Sequence, residues 1–283
     1  MFDAMAYNGA MGSVITTIIA AVAVGAITGI IAGLLGVGGG TILLPLFRLV
    51  FGMSAIGTTA TSLFTIIPTS LSGAFAHFRD KTCVPKLGIA LGLGGACTSW
   101  IGVQLAQISP SWAVMFAAAA AIAYSATTML RKALAAPKTR SVNDKKRTPE
   151  LPPLQPHFET RQLAQGAAIG AVAGLASGYI GLGGGFLMVP MMLSFMHLPM
   201  KLTSGTSLIA IMILALPATV VQCMLGNVDY LVGIAVACGS IPGALLGARL
   251  MKHVPERTLR FAFAFFLFIG AVMLVVKEFG VLG

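Results

Sequence analysis

Residues 29–45 read GIIAGLLGVGGGTILLP, and residues 174–190 read GLASGYIGLGGGFLMVP. Seven of the seventeen aligned positions are identical: Gly29, Gly33, Gly36, Gly38, Gly39, Gly40 and Pro45 recur as Gly174, Gly178, Gly181, Gly183, Gly184, Gly185 and Pro190. A repeat at a constant spacing of 145 residues is the strongest organising signal in the chain. The same spacing carries TTATSL at 58–63 onto TSGTSL at 203–208, Gly88-Ile89-Ala90 onto Gly233-Ile234-Ala235, and Pro110 onto Pro255. This predicts an N-terminal repeat over 1–130, a connector over 131–162 and a C-terminal repeat over 163–283.

The solvent for both repeats is lipid. Of 283 residues, 57% are hydrophobic and only 9% charged, against about a quarter charged in a soluble domain. Each half shows five apolar segments, 14–35, 40–51, 57–78, 87–107 and 112–130, then 163–181, 185–197, 203–225, 230–248 and 258–276. An all-α polytopic membrane protein is predicted, since about twenty apolar residues span a hydrocarbon core of roughly 30 Å. The second segment of each half is short, rising only about 18 Å as a helix. It is either a strongly mismatched span or half of a broken one.

A net charge of +10 would suggest a nucleic-acid partner in a soluble protein, but here the cations sit in loops and report topology instead. No nucleic-acid partner is expected. If each short segment crosses, five crossings per half invert one repeat against the other and gather nearly all Lys and Arg at one end, leaving Arg48 and Lys277 apart. Equivalent loops make the comparison sharp: the loop after the third segment carries Arg79, Lys81 and Lys86 in the first half but only Asp229 in the second. The expectation is an inverted repeat in a plasma membrane, with both termini outside and the polar, proline-containing connector cytoplasmic. A cleavable leader is not expected, because residues 1–12 contain Asp3 and no Lys or Arg. The four cysteines, Cys83, Cys97, Cys223 and Cys238, have neither metal-ligand nor disulfide spacing, and no metal or cofactor is expected.

Three consecutive glycines in an apolar stretch are costly in a helix interior, each about 1 kcal/mol worse than alanine. Gly38, Gly39, Gly40 and Gly183, Gly184, Gly185 would break the helix, free backbone N–H groups and start a short helix pointing into the protein. Such an N-terminus attracts anions, and broken helices at a repeat interface build many transporter sites. The alternative is packing alone. Gly25, Gly29 and Gly33, at four-residue spacing, read as a packing face, where Gly25→Ala is expected to be milder than valine at Gly39 or Gly184. A dinucleotide loop is excluded, since neither a preceding strand nor a following acidic residue is present.

The second constellation is Thr58, Thr59, Thr61 and Ser62, repeated as Thr203, Ser204, Thr206 and Ser207. These hydroxyls either bond backbone within the helices or line a path for an anion. Arg48 is positioned to counter an anion or to snorkel to the interface; His77 is positioned to titrate or to sit at the interface. Pro68 and Pro217 fall mid-segment and suggest hinges. All eight acidic residues fall in loops or segment ends, which disfavours a carboxylate relay. No nucleophile and base pair up as catalysis would need, so no catalytic residues are expected.

Paired G-x-G-G-G-x4-P motifs, GVGGGTILLP and GLGGGFLMVP, in two membrane halves joined by a polar connector resemble the TauE/SafE family of sulfite exporters, permeases for sulfur-containing anions. The resemblance extends over residues 14–277. It implies a bacterial or archaeal plasma-membrane carrier moving sulfite, sulfoacetate, thiosulfate, a related sulfonate or another small organic anion. An anion channel with the same lining is the alternative. The coupling ion, proton or sodium, stays open, as does uncoupled efflux.

With the connector cytoplasmic, Ser141→Cys and Thr148→Cys, in a background otherwise free of reactive thiols, will escape an impermeant thiol reagent added outside intact cells. Rapid labelling would reverse the orientation.

Overall fold

The computed structural model describes residues 2–135 and 160–281; most of the 131–162 connector, including Ser141 and Thr148, lies outside the described residues. Ten helices make up the described chain: α1 (Phe2–Leu35), α2 (Gly40–Leu49), α3 (Ala55–Arg79), α4 (Pro85–Ile108), α5 (Ser111–Ala135), α6 (Thr160–Ile180), α7 (Gly185–Phe195), α8 (Met200–Met224), α9 (Tyr230–Met251) and α10 (Glu256–Val281). Each apolar segment read from the sequence becomes one helix. Six of them, α1 from Ile15 onward, α4, α5, α6, α8 and α9, are long and apolar enough to cross a membrane. At 25 residues α3 is equally long, but its run of threonines and serines makes it less apolar. Pro68 and Pro217 lie inside α3 and α8 without ending them.

Glycine seams set which helices touch. A Cβ added at Gly25, Gly29 or Gly33 of α1 would land on the carbonyl oxygen of Val236, Ser240 or Ala244 of α9. Both registers rise together, so the helices run parallel with their backbones in contact, as small residues at four-residue spacing allow. The counterpart seam joins α6 to α4, with Gly170, Gly174 and Gly178 meeting the carbonyls of Leu91, Gly95 and Ser99. The milder effect expected of Gly25→Ala is therefore overturned: the obstacle is a backbone carbonyl, which cannot rotate away as a side chain can.

Polar contacts extend the same logic. From Thr61, whose Oγ1 accepts from Asp229 N (3.0 Å), to Thr69, whose Oγ1 is 2.5 Å from Ser240 Oγ, α3 rises parallel to α9. Val84 N donates to Thr206 Oγ1 (2.9 Å), and added Cβ atoms at Gly88 and Gly92 would lie 2.9 and 2.7 Å from Ile209 and Ile213, so α4 runs parallel to α8. Against each other α3 and α8 are antiparallel: Gly73 faces Leu208, while His77, further along α3, faces Gly205, earlier in α8.

One end of the bundle collects the charged loops. Lys252 Nζ pairs with Asp80 at 2.6 Å, Lys201 Nζ donates to Lys252 O at 3.0 Å, and Glu256 Oε1 accepts from Met200 N at 2.9 Å. On another side α5 and α10 pack together and, through Met115, Ile122, Phe263 and Leu267, close over Leu35, Val37, Leu182 and Phe186. The glycine motifs thus lie between the α5–α10 pair and the α3–α8 pair.

Gly25→Ala is expected to destabilise the fold by about 2 kcal/mol or more, as overpacking a fixed site does, and so to lower the Tm of purified protein in detergent. An unchanged Tm would mean that the α1–α9 seam tolerates a methyl group.

Candidate functional site

Both halves build the same local device. At Gly36, Gly38 and Gly39 the backbone turns left-handed (φ +74°, +76° and +82°), a conformation available to glycine at no steric cost. The chain reverses, and α2 starts behind Gly39 and returns beside α1: Leu43 and Phe47 share a buried cluster with Ala21 and Val24. The short segment is a return hairpin of 10 residues, about 15 Å long. Gly181, Gly183 and Gly184 (φ +82°, +78° and +74°) reverse the chain between α6 and α7 in the same way.

The two hairpin turns meet. A Cβ on Gly40 would lie 2.5 Å from Leu182 O, and one on Gly185 would lie 2.8 Å from both Gly36 O and Val37 O. Here glycine is required because backbone meets backbone. Gly38 and Gly183 instead face Ile211 and Ile66, at 3.1 and 3.0 Å from an added Cβ. At Gly39 the space is ordinary, 3.5 Å to Ala32 Cβ, so valine there is opposed by the left-handed backbone and not by a filled cavity. Among the described residues, no protein acceptor meets the N–H groups of Gly38, Gly39, Gly183 or Gly184.

The hydroxyls divide by role, although all eight are buried. Thr61 and Thr206 hold loops through Asp229 N and Val84 N. Ser204 Oγ lies 3.0 Å from both Leu35 O and Met200 O, and Ser207 Oγ 2.6 Å from Gly36 O and 2.8 Å from Ser204 O, so each hydroxyl shares its proton between a last carbonyl of α1 and its own helix. Thr59 and Thr203 bond within their own helix starts, to Ile56 O and Pro199 O. Thr58 Oγ1 and Ser62 Oγ have no partner. Ser204 and Ser207 thus reach the glycine turn, and Thr59 lies against Gly181, whereas Thr61 and Thr206 are spent on loops.

His77 is fully buried, not interfacial. Its Nε2 is 2.9 Å from Gly33 O and its Nδ1 2.8 Å from Thr82 Oγ1. A carbonyl only accepts, so Nε2 carries the proton and Nδ1 accepts from the threonine hydroxyl. Together with Ser204 and Ser207, His77 gives the end of α1 three side-chain donors.

A family model described as sulfite exporter TauE/SafE matches residues 21–274. The chain belongs to the TauE/SafE family. It is a multi-pass membrane transporter, not an enzyme. A protein named probable membrane transporter protein YunE, from Bacillus subtilis, is 32% identical over 250 residues, covering 84% of this chain and 90% of the relative. YdhB of the same organism, also named a probable membrane transporter protein, is 28% identical over 83% of this chain and 90% of its own length. A probable membrane transporter protein of Xylella fastidiosa is 25% identical over 86% and 90%. No solved structure matches the chain.

In this TauE/SafE chain Arg48 stands apart from the turns: it sits in the last turn of α2 and Nη1 donates to Met53 O at 3.1 Å. A buried amide group stands in the last turn of α8. Gln222 Oε1 accepts from Asn227 Nδ2 (2.8 Å) and Gln107 Nε2 (3.5 Å), leaving its own Nε2 without a partner. Gln222 and Asn227 stand 145 residues after His77 and Thr82, so the repeat spacing alone would have found them.

Thr206→Val will leave Val84 N–H buried without an acceptor, a loss of about 1–3 kcal/mol to be read as a lowered Tm. Thr206→Ser, which keeps the oxygen, will retain most of the stability. Equal losses would show that the methyl group, not the hydrogen bond, matters.

Proposed function

We propose that this transporter is a secondary carrier exporting small sulfur-containing anions, such as sulfite, sulfoacetate or a related sulfonate, by alternating access between two inverted repeats. The observation that carries the reading is the meeting of the two glycine turns with their N–H groups unbonded. An anion stripped of water costs several kcal/mol unless fixed donors replace its hydration. The starts of α2 and α7 supply N–H groups and the positive ends of helix dipoles, and the hydroxyls of Thr58 and Ser62 add neutral donors. Neutral donors hold an anion without trapping it.

Support for inversion comes from helix direction. Helices α1, α3 and α9 share one direction and α4, α6 and α8 the opposite one, so α1 opposes α6, α3 opposes α8 and α9 opposes α4. Each pair occupies corresponding places under the 145-residue spacing. The described carboxylates support anion over cation passage: Asp80, Asp229 and Glu256 cap or flank helices at the bundle ends. The basic end, with Arg79, Lys81, Lys86, Lys201 and Lys252, is cytoplasmic on this reading, and both termini are outside.

Purified protein in proteoliposomes will take up at least one labelled anion from a panel of sulfite, thiosulfate, sulfoacetate and taurine analogues, saturably, with imposed proton and sodium gradients revealing any coupling. Unitary currents in a planar bilayer would replace the carrier by a channel, and uptake of none of the panel would remove the sulfur-anion assignment.

A further inference from the structure

The repeat places hydrogen-bonding side chains at corresponding positions at both ends of the bundle, and two of the pairs are used in the same way. Thr206 with Val84 N (2.9 Å) has its counterpart in Thr61 with Asp229 N (3.0 Å). The His77–Thr82 bond (2.8 Å) has its counterpart in Gln222–Asn227 (2.8 Å). Thr203 bonds Pro199 O where Thr58 bonds nothing, and three further differences lie together. Around the end of α1, His77, Ser204 and Ser207 bond Gly33 O, Leu35 O and Gly36 O. By the 145-residue spacing their counterparts at the end of α6 are Gln222, Thr59 and Ser62, matched to Gly178, Ile180 and Gly181, and Thr59 does lie against Gly181.

None of those three counterpart bonds is formed. Thr59 bonds Ile56 O within its own helix, while Ser62 Oγ and Gln222 Nε2 are fully buried and unpartnered. Buried donors without acceptors are uncommon and unfavourable. The occupied set at the α1 end identifies the acceptors that the vacant set fits.

Resting on the carrier reading above, we propose that these two sets are alternative latches: the structure is held shut at the α1 end by His77, Ser204 and Ser207, and a second arrangement releases that end while Gln222, Thr59 and Ser62 seize the end of α6. Exchange of three bonds for three keeps the two arrangements close in free energy, as a two-state carrier needs. The latched end is the basic one, which carries Asp80, Lys201 and Lys252. On the orientation proposed above, the chain is closed toward the cytoplasm.

Cys83 provides a native reporter. It is buried beside the latch, where a Cβ on Gly205 would lie 2.9 Å from Cys83 Cβ and 3.0 Å from His77 Cβ, and burial pushes its thiol pKa up to about 11. It therefore reacts slowly until the α1 end opens. With Cys97, Cys223 and Cys238 replaced by serine, the rate of N-ethylmaleimide modification of Cys83 in purified protein reads the population of the second arrangement. Ser207→Ala will raise that rate about fivefold, as the loss of one hydrogen bond shifts a two-state equilibrium. Ser62→Ala and Gln222→Ala, at the opposite end, will each lower it by a similar factor, because Ser62 Oγ and Gln222 Nε2 bond nothing in the present arrangement and the Gln222–Asn227 bond lost with the second variant is made in both arrangements. Gel filtration will establish that each variant remains folded, and a variant that does not is replaced by Ser62→Gly or Gln222→Met. No change with the distant variants, or a common rise in all of them, overturns the exchange. The assay uses no substrate, so its failure leaves the transport reading to be judged by uptake alone.

Discussion

A backbone that leaves the helical path inside hydrocarbon must find partners for the groups it frees, since no water is at hand. Both glycine turns create that demand, exposing carbonyls at the ends of α1 and α6 and amides at the starts of α2 and α7. Much of the surrounding structure answers it. Serines from α8 and a histidine from α3 reach the carbonyls of α1, while among the described residues no protein acceptor meets the amides of Gly38, Gly39, Gly183 and Gly184. A straight helix at either place would need none of these side chains.

The second constraint is closeness. Lipid gives helices no hydrophobic reason to associate, so packing and hydrogen bonds must hold them. The glycine seams of α1 with α9 and of α6 with α4 bring backbones into contact over three successive turns. They also fix axial register, because each glycine faces one particular carbonyl. That register is what brings Gly40 to Leu182 and Gly185 to Gly36 with backbone touching backbone.

Much of this was legible in the sequence. Ten apolar segments became ten helices, because length and hydrophobicity decide membrane helices with little help from tertiary context. The glycine triplets did mark breaks, and the short segments proved to be returns. The hydroxyl clusters were harder to read. Thr61 and Thr206 are occupied with loop amides, and Ser204 and Ser207 with carbonyls of α1, partners distant in sequence that no local pattern reveals. The four-residue spacing of Gly25, Gly29 and Gly33 shows a packing face but not the backbone carbonyls that lie against it. Gln222 escaped notice because an amide in a helix has no motif, and only its correspondence with His77 marks it.

The main helix pairings all join the two halves: α1 with α9, α4 with α6 and α8, α3 with α8 and α9, and α5 with α10. This interleaving has a consequence for biogenesis. As the chain emerges from the ribosome, α1 enters the bilayer long before α9 is made, and its glycine face must meanwhile lie against lipid. The first half is thus a waiting intermediate whose seams and freed carbonyls are satisfied only when the second half threads between its helices. Membrane quality control would meet that intermediate in every molecule synthesised, and a stalled or truncated chain would present the same unfilled seams as a degradation signal.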